Sequence, residues 1–395
     1  MATVEVLTAP ASPSFSLDQE NLQSSNSHIE SSIKTIPRFS GAENDFRSDF
    51  VTVPTAEMLN APQILSLADN WEEDPTSTEL QNYMSQLTGQ PAALLVLSGT
   101  AANQISLRTA LGAPPHSVLV DHRSHIVTME AGAVSSITGT NGHHLTVIDV
   151  QNNATLTTAD YDCPTRLICL ENTLNGTILP LSDVKAISAW ARSQNPPIHL
   201  HLDGARLWQA VAAGAGSLQD YCQAFDSVAL CFAKGLGAPL GSVIVGSQAF
   251  IKRARLMRRL FGGGMRQSAI IAAPARVAVE ETFMKGRLTE THEKARRIGE
   301  AWESLGGQLV HPTETNMVWL NLDEANLSKE EFWKIAADEG IKVMMKGRLV
   351  IHYQISEAAI QQLILVFKRV LGKRGQARSN GHVTNGVKRK IDALG

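Results

Sequence analysis

Short apolar runs alternate with helical patterns through the first two thirds of the chain. "SVLVD" is followed by "HIVTMEAGAV", "RLICLEN" by "LSDVKAISAWARS", and "IHLHLDGA" by "RLWQAVAAG". Apolar runs that alternate with amphipathic stretches predict βαβ units, in which helices join parallel strands. The sequence therefore predicts a large α/β domain with a mostly parallel sheet over residues 45–284.

The pattern changes after Met284. A long charged helix is predicted for Arg287–Leu305, followed by "NMVWLNL", a helix from Ser328, the stretches "IKVMM" and "GRLVIHYQI", and a final helix. Helices and strands that do not alternate regularly are typical of an α+β arrangement. We therefore expect a smaller C-terminal α+β domain over residues 285–372.

Both ends of the chain lack sustained apolar periodicity. Residues 1–44 are rich in Ser, Asn and Pro, and residues 373–395 are polar and contain "VKRK". Segments of this composition bury too little apolar surface to fold alone. The sequence predicts a disordered leader and a polar basic tail, and a solvated tail is favoured over a nuclear address.

Composition and charge then exclude several classes of protein. With 43% hydrophobic and 18% charged residues and a formal net charge of -3, the chain offers no strongly basic surface for nucleic acid. It shows neither an apolar run of membrane-spanning length nor a signal-peptide pattern. The cysteines lack C-x-x-C spacing, which argues against a zinc site or a disulfide framework. We expect a cytoplasmic protein without a metal, a membrane partner or a nucleic-acid partner.

One lysine stands directly before a glycine-rich run. In "CFAKGLGAPLGS", Lys234 follows the apolar stretch "SVALCF". A phosphate-binding loop requires its lysine after the glycines, and the spacing of Gly235, Gly237 and Gly241 is one residue too long for a dinucleotide fingerprint. A lysine at the carboxyl end of a strand, on a glycine-flanked backbone, suits a Schiff base with a carbonyl cofactor.

A second predicted strand ends in a carboxylate, Asp203, in "HLHLDGARLW". If Lys234 holds pyridoxal 5′-phosphate, the pyridine nitrogen needs a carboxylate partner to stay protonated, and Asp203 is the candidate. The alternative is that Asp203 only caps the helix that follows.

Four further motifs offer groups that such a cofactor or its amino-acid substrate needs. Gly99 and Thr100 open a predicted helix, where free amides bind phosphate, and His125 can stack on the ring or act as a base. Arg348 begins a predicted strand and can grip a carboxylate with two hydrogen bonds. A run of glycines before Arg266 indicates a tight turn near a ligand or another chain. Each motif alone also fits a purely structural role.

Taken in order, eight motifs resemble those of threonine aldolases, closest to the fungal members. They are "FRSDFVTVPT", "EDPTSTEL", "LSGTAANQ", "CLENTLNG", "HLDGARLW", "AKGLGAPLGS", "GGGMRQS" and "GRLVIHYQIS". The resemblance implies the aspartate-aminotransferase-like fold (fold type I) of pyridoxal-phosphate enzymes, with a sheet of the seven-stranded type. It also implies a homodimer or homotetramer, and cleavage of L-threonine, L-allo-threonine or similar β-hydroxy-α-amino acids to glycine and an aldehyde.

The resemblance also assigns the cofactor contacts. It makes Lys234 the Schiff-base lysine, Asp203 the partner of the pyridine nitrogen, and Arg206 a contact of the ring hydroxyl and the substrate carboxylate. It places Gly99 and Thr100 in the phosphate loop.

Four more residues complete the site that the resemblance implies. His125 is the ring-stacking histidine and a candidate base. Ser48 and Arg348 grip the carboxylate of a small amino-acid substrate, and Arg266 contacts the phosphate of the neighbouring subunit.

One departure from the family bears on the reaction. Trp71 and Glu72 stand where threonine aldolases have Tyr and Gly, so we expect an altered pocket for the substrate hydroxyl, unless Trp71 only packs in an interface. The rival function is an amino-acid racemase, acting on alanine in a fungal peptide natural-product pathway. A nicotinamide oxidoreductase is disfavoured because the sequence lacks the dinucleotide-binding fingerprint of that class. A binding protein without a cofactor is disfavoured by Lys234 and Asp203.

Overall fold

A six-stranded sheet lies at the centre of the described chain. The structure, a computed structural model, describes residues 41–62, 74–130, 144–157, 159 and 161–372. The strands are β1 (Ala92–Val96), β2 (Ser117–Val120), β3 (Thr165–Glu171), β4 (His199–Gly204), β5 (Ser227–Cys231) and β6 (Ser242–Gly246).

The strand order is β1-β6-β5-β4-β3-β2. Strands β2 to β5 pair in parallel, whereas β6 is antiparallel to both β1 and β5. The predicted α/β class with a mostly parallel sheet is confirmed, and six of its strands lie in the described part of the chain.

Helices precede, follow and connect these strands. They are α1 (Ala56–Asn60), α2 (Pro75–Thr88), α3 (Gly99–Ala110), α4 (His125–Thr128), α5 (Val147–Asn153), α6 (Leu181–Ser193), α7 (Leu207–Ala212), α8 (Leu218–Gln223), α9 (Gln248–Leu260) and α10 (Ala269–Ala278). A π-helical stretch, Val279–Met284, continues α10. Side-chain caps define several starts, as at α3, where the Ser98 hydroxyl accepts a hydrogen bond from the Ala101 amide at 3.1 Å.

The main apolar core is formed by side chains of both the sheet and its helices. Leu202, Trp208, Phe232 and Leu236 are all buried within it. Burying each such side chain contributes about 1.5 to 3 kcal/mol. The Trp208 indole also donates a hydrogen bond to the carbonyl of Cys231 at 2.9 Å, which ties α7 to the end of β5.

The C-terminal region has a separate apolar core. Its elements are α11 (Arg287–Ser304), β7 (Met317–Trp319), α12 (Lys329–Asp338), β8 (Arg348–Val350) and a helix over 357–372, with β7 and β8 paired antiparallel.

Residues from both ends of the described chain meet in that second core. Phe46 packs there with Trp302 and Phe367, whose rings meet edge to face at 5.0 Å. Of the stretch "IKVMM", Lys342 forms a single parallel bridge with Asp45. The predicted domain boundary after residue 284 stays a prediction.

Among the described helices, none has both the length and the apolar character that crossing a membrane requires. The predicted leader (apart from residues 41–44), the predicted tail, and Trp71 with Glu72 lie outside the described residues.

Candidate active site

The carboxyl ends of the parallel strands bring the candidate residues to one edge of the sheet. Glu171 at the end of β3 is in register with Asp203 on β4, and Cys231 at the end of β5 is in register with Ser242. Ser242 is also in register with Val96, at the end of β1. Ligands bind at this edge in open α/β sheets.

A cavity of about 440 Å³ opens beside this edge. Five residues predicted from the sequence line it together: Ser48, His125, Arg206, Lys234 and Arg348. Glu171 lines it as well, and its apolar wall includes Phe50, Met129, Met317, Trp319 and Met344.

The turn after β5 fixes the half-buried Lys234. Gly235 and Gly237 have φ values of 76° and 85°, a region that side-chain-bearing residues rarely occupy. A Cβ at Gly235 would lie 2.8 Å from the Gln209 side-chain nitrogen, and one at Gly237 would overlap the Tyr353 hydroxyl. The glycines are therefore required for the backbone to bend directly behind the lysine.

Asp203 is buried and has two hydrogen-bond donors. Its Oδ2 accepts from the Asn103 side-chain amide at 2.8 Å, and its Oδ1 accepts from the Ala205 backbone amide at 3.0 Å. The local bond to Ala205 is the capping-type contact weighed from the sequence, but α7 begins only at Leu207. Capping therefore explains one carboxylate oxygen and leaves Oδ2 directed at Asn103.

His125 is oriented by two carboxylates. Its Nδ1 lies 3.0 Å from Glu130 Oε1, and its backbone amide donates to Glu171 Oε2 at 2.7 Å. Glu130 is buried and also accepts from Asn103 and Gln104, at 3.0 and 2.8 Å. Because both oxygens of Glu130 already accept hydrogen bonds, Nδ1 of His125 is the donor in this contact, and Nε2 is the ring nitrogen left to accept a proton.

One group of side chains in the described chain has metal-ligand spacing. Ligand atoms of His125, Glu130 and Asp203 lie within 4.8 Å of one another. The Asn103 amide already donates to both carboxylates, so their arrangement has a hydrogen-bonding explanation.

Glu171 has a strongly shifted pKa. Burial, together with the negative charge of Asp203, raises the pKa of Glu171 to about 8, against the opposing charges of Lys234 and Arg206. A carboxyl group that titrates near neutrality beside a lysine can exchange protons during a reaction.

Arg206 is held by a carboxylate that the sequence reasoning missed. Its guanidinium donates two hydrogen bonds to Asp49, at 2.8 and 2.7 Å. Burial opposes ionisation of Asp49, but the charge and hydrogen bonds of Arg206, the charge of Lys234 and the Asn316 hydrogen bond together lower the pKa of Asp49. Asn316 donates to the same carboxylate at 3.3 Å. The two hydrogen bonds between Arg206 and Asp49 fix the plane of the guanidinium at the cavity wall.

Ser48 and Arg348 present polar atoms that await a partner. The buried Ser48 Oγ and the Arg348 Nε have no hydrogen-bond partner within the described ranges. Burial and the positive charge of Arg206 lower the pKa of Arg348. Two guanidinium groups and one hydroxyl that face the same cavity form a site for an anion such as a carboxylate.

Gly99 and Thr100 begin α3 on the same sheet edge, beyond the lining of the cavity. The Ser242 hydroxyl is buried with no partner in the described part of the chain, and a Cβ at Gly99 would lie 3.9 Å from it. The helix N-terminus and this hydroxyl together offer donors to a phosphate.

Arg266 is exposed and does not line the cavity of its own chain. It follows the glycine run 262–264, in which Gly262 has a φ of 74°. Five of the nine predicted site residues therefore line one cavity. Asp203, Gly99 and Thr100 lie at the same sheet edge outside the cavity lining, and Arg266 lies away from the cavity.

The residues that sequence reasoning missed share one feature. All are polar residues in stretches that had been singled out for a neighbouring residue, and each is buried or lines the cavity. They are Asp49, Asn103, Glu130, Glu171 and Ser242. Their position inside those motifs was the available signal.

Comparisons with known proteins found related sequences and structures. A family model described as beta-eliminating lyase matches residues 45–325. The chain is 52% identical over 328 residues to aldolase vrtJ of Penicillium aethiopicum, covering 81% of this chain and 84% of that protein. It is 41% identical to a probable low-specificity L-threonine aldolase of Schizosaccharomyces pombe, with 84% and 88% covered. It is 37% identical to alanine racemase TOXG of Cochliobolus carbonum, again with 84% and 88% covered.

A solved structure of threonine aldolase from Leishmania major is similar with a TM-score of 0.68, at 20% identity, covering 83% of this chain and 99% of that one. This likeness confirms the predicted fold type.

Proposed function

Because the chain belongs to the beta-eliminating lyase family, we propose that its candidate active site holds pyridoxal 5′-phosphate and cleaves L-threonine, L-allo-threonine or a similar β-hydroxy-α-amino acid. The products are glycine and an aldehyde. The observation that carries this proposal is the cavity itself, which Lys234 lines together with Ser48, Arg206 and Arg348, three side chains suited to bind a carboxylate.

The described residues fit the cofactor at its three polar ends. Lys234 supplies the amine for its carbonyl carbon. Asp203, a buried carboxylate with neutral donors, suits the protonated ring nitrogen. The partnerless Ser242 hydroxyl and the start of α3, with Gly99 and Thr100, suit the phosphate. When bound, pyridoxal phosphate withdraws electrons from the amino acid's Cα.

The substrate carboxylate is held by three side chains. Arg348 and Arg206 donate to its two oxygens, and the buried Ser48 hydroxyl adds a third donor. Asp49 keeps the Arg206 guanidinium in place before the substrate arrives. A carboxylate fixed at these points sets the direction of the Cα–Cβ bond.

His125 and Glu171 move the protons. Glu130 holds Nδ1 of His125, so Nε2 is the nitrogen that accepts the proton of the β-hydroxyl. The Cα–Cβ bond then breaks, its electron pair stays with Cα, and the aldehyde leaves. Glu171, whose pKa is raised to about 8, is placed to supply the proton that Cα needs to become glycine.

A second candidate function is racemisation of a small amino acid such as alanine. It is favoured by one observation, the 37% identity to an alanine racemase. The same carboxylate grip would hold alanine, and Lys234 and His125, which line one cavity, are two groups able to carry protons.

Product analysis separates the two functions. Purified enzyme with added cofactor is incubated in turn with L-allo-threonine, L-threonine and L-alanine, and glycine and D-alanine are quantified. We expect glycine from the β-hydroxy substrates and no D-alanine. D-alanine without glycine would overturn the aldolase proposal in favour of the racemase.

The replacement of Tyr and Gly by Trp71 and Glu72 stays a prediction about the hydroxyl pocket, because these residues lie outside the described ranges. We expect Trp71→Tyr combined with Glu72→Gly to raise the rate of glycine release from threonine. An unchanged rate would show that Trp71 has only a packing role.

We further propose a cytoplasmic homodimer or homotetramer, acting on a small amino acid without nucleic acid or membrane, in which Arg266 serves the neighbour's phosphate site. The exposed position of Arg266, away from the cavity of its own chain, supports this arrangement. Hybrids of Lys234→Ala and Arg266→Ala chains test it. If Arg266 acts across the interface, each hybrid dimer has one intact site, and mixing restores activity. Mixtures that stay inactive would contradict the shared site.

A further inference from the structure

A single amide joins the two buried carboxylates at the sheet edge. The side-chain nitrogen of Asn103 lies 2.8 Å from Asp203 Oδ2 and 3.0 Å from Glu130 Oε1. An amide nitrogen has two hydrogens, so each carboxylate receives one. The Asn103 oxygen faces the other way, 3.2 Å from Nε2 of His201.

The hydrogen bonds continue from His201 along the sheet. Its Nδ1 lies 2.8 Å from the Ser227 hydroxyl, and Nε2 of His199 lies 2.8 Å from the same hydroxyl. Three residues of this hydrogen-bonded series are at most 1% exposed: Asn103, His201 and Ser227. His199, His201 and Asp203 alternate along β4, which puts them on one face of the strand.

The direction of each hydrogen bond follows from chemistry. Burial lowers the pKa of His201 to about 3, so the ring is neutral and has one proton. The Asn103 oxygen only accepts, which puts that proton on Nε2 and leaves Nδ1 to accept from Ser227. The Ser227 oxygen then accepts from His199. Every hydrogen bond in this series, from His199 to Asn103, is therefore donated in the direction of Asp203 and Glu130.

We propose that Asn103, His201 and Ser227, here named the carboxylate relay, are positioning residues that keep Asp203 and Glu130 ionised together. Two carboxylates this close repel each other, and a donor shared between them favours the charged form of both. An ionised Asp203 keeps the proton on the cofactor ring nitrogen. An ionised Glu130 keeps the proton of His125 on Nδ1. This inference rests on the proposed function, since the cofactor contact is part of it.

The relay is tested in the cofactor-loaded enzyme with two substitutions at one position. His201→Leu removes the donor to Asn103, whereas His201→Gln places an amide N–H where the Nε2 proton was. The readout is the NMR chemical shift of an isotope-labelled ring nitrogen in the cofactor. We expect the wild type and His201→Gln to show a protonated nitrogen, and His201→Leu to shift toward the unprotonated form.

Kinetics give a second readout of the same relay. We expect kcat for cleavage to fall by up to about tenfold in His201→Leu, the upper end of the loss typical of one hydrogen bond between uncharged groups. KM should stay within about twofold, because the carboxylate grip is untouched. His201→Gln should recover most of kcat.

Tyr221→Phe is the matched control. It removes a buried hydrogen bond, from the Tyr221 hydroxyl to the Leu179 carbonyl at 2.9 Å, and neither residue takes part in the hydrogen bonds of the relay. It should lower thermal stability without moving the nitrogen shift. If His201→Leu does not fold, Ser227→Ala removes the next donor with little change in packing and should shift the nitrogen in the same direction.

The outcomes are distinct. An unchanged nitrogen shift and kcat in His201→Leu, or equal defects in His201→Gln and His201→Leu, would overturn the relay alone. An equal shift in Tyr221→Phe would also overturn it, because the shift would then report lost stability. A wild type that binds no cofactor would overturn the proposed function as well.

Discussion

The two halves of the candidate active site differ in how far their polar groups are already satisfied. In the sheet half, the buried carboxylates of Asp203 and Glu130 each accept at least two hydrogen bonds. In the substrate half, the Ser48 hydroxyl and the Arg348 Nε have no partner among the residues described.

This difference separates preorganisation from recognition. Dipoles fixed before the reaction need no rearrangement when charge develops at the bound cofactor, which is the advantage of the sheet half. Donors without partners lower the stability of the free protein. They form hydrogen bonds when a carboxylate binds, and the free energy of those bonds then contributes to affinity, which is the advantage of the substrate half. The substitutions below test each half.

The largest expected effect lies in the sheet half. Asp203→Asn removes the charge that holds the ring nitrogen protonated, so we expect kcat to fall by about 10²- to 10³-fold with cofactor still bound. Glycine release and visible absorbance measure the two effects. Asp183→Asn, which replaces a carboxylate that lies 2.9 Å from Nε2 of His144 outside the cavity lining, is the control and should keep normal kcat. A normal kcat in Asp203→Asn would refute its role.

The next effect lies in the substrate half. Arg348→Lys keeps the charge but cannot donate two parallel hydrogen bonds, so KM for L-allo-threonine should rise about 10- to 100-fold. Arg297→Lys, at an exposed pair with Glu357, should leave KM unchanged. An unchanged KM in Arg348→Lys would remove this residue from the carboxylate site.

Ser48→Ala should raise KM about 2- to 10-fold, because one donor to the carboxylate is lost. The free protein should be as stable as the wild type or more stable, since the hydroxyl has no partner there in the described structure. The matched change Ser188→Ala breaks a 2.6 Å bond to the Ala224 carbonyl. It should lower stability by about 1 kcal/mol and leave KM unchanged. Loss of stability in Ser48→Ala would show that its hydroxyl is satisfied in the free protein.

The last prediction concerns the stability of the protein and its dependence on pH. Burial and the charge of Asp203 raise the pKa of Glu171 from 4.5 to about 8. Between these values the folded protein binds a proton that the unfolded chain has released, so the contribution of Glu171 to the free energy of unfolding falls as pH rises. The Tm of the cofactor-free wild type should therefore fall more steeply than that of Glu171→Gln from about pH 5 to 8. Parallel curves would contradict the raised pKa.

The sequence predicted residues at strand ends better than pairs between distant segments. Lys234 and Asp203 could be predicted because an apolar run that stops at a polar residue marks the edge at which parallel sheets bind ligands. Asp49 was missed because its partner Arg206 lies 157 residues away. Asn103 was missed for the same reason, since Asp203 lies 100 residues further along the chain. Pairings of this kind arise from tertiary packing, which local patterns do not encode.

The most direct test of the whole account is to find the residue that carries the cofactor. The cofactor-loaded enzyme is reduced with borohydride, digested, and examined by mass spectrometry, with Lys234→Ala as the comparison and exposed Lys252→Ala on α9 as the control. We predict the mass of reduced pyridoxal phosphate on the peptide that contains Lys234, in wild type and Lys252→Ala, and its absence in Lys234→Ala. Modification of a different lysine, or of none in the wild type, would contradict it.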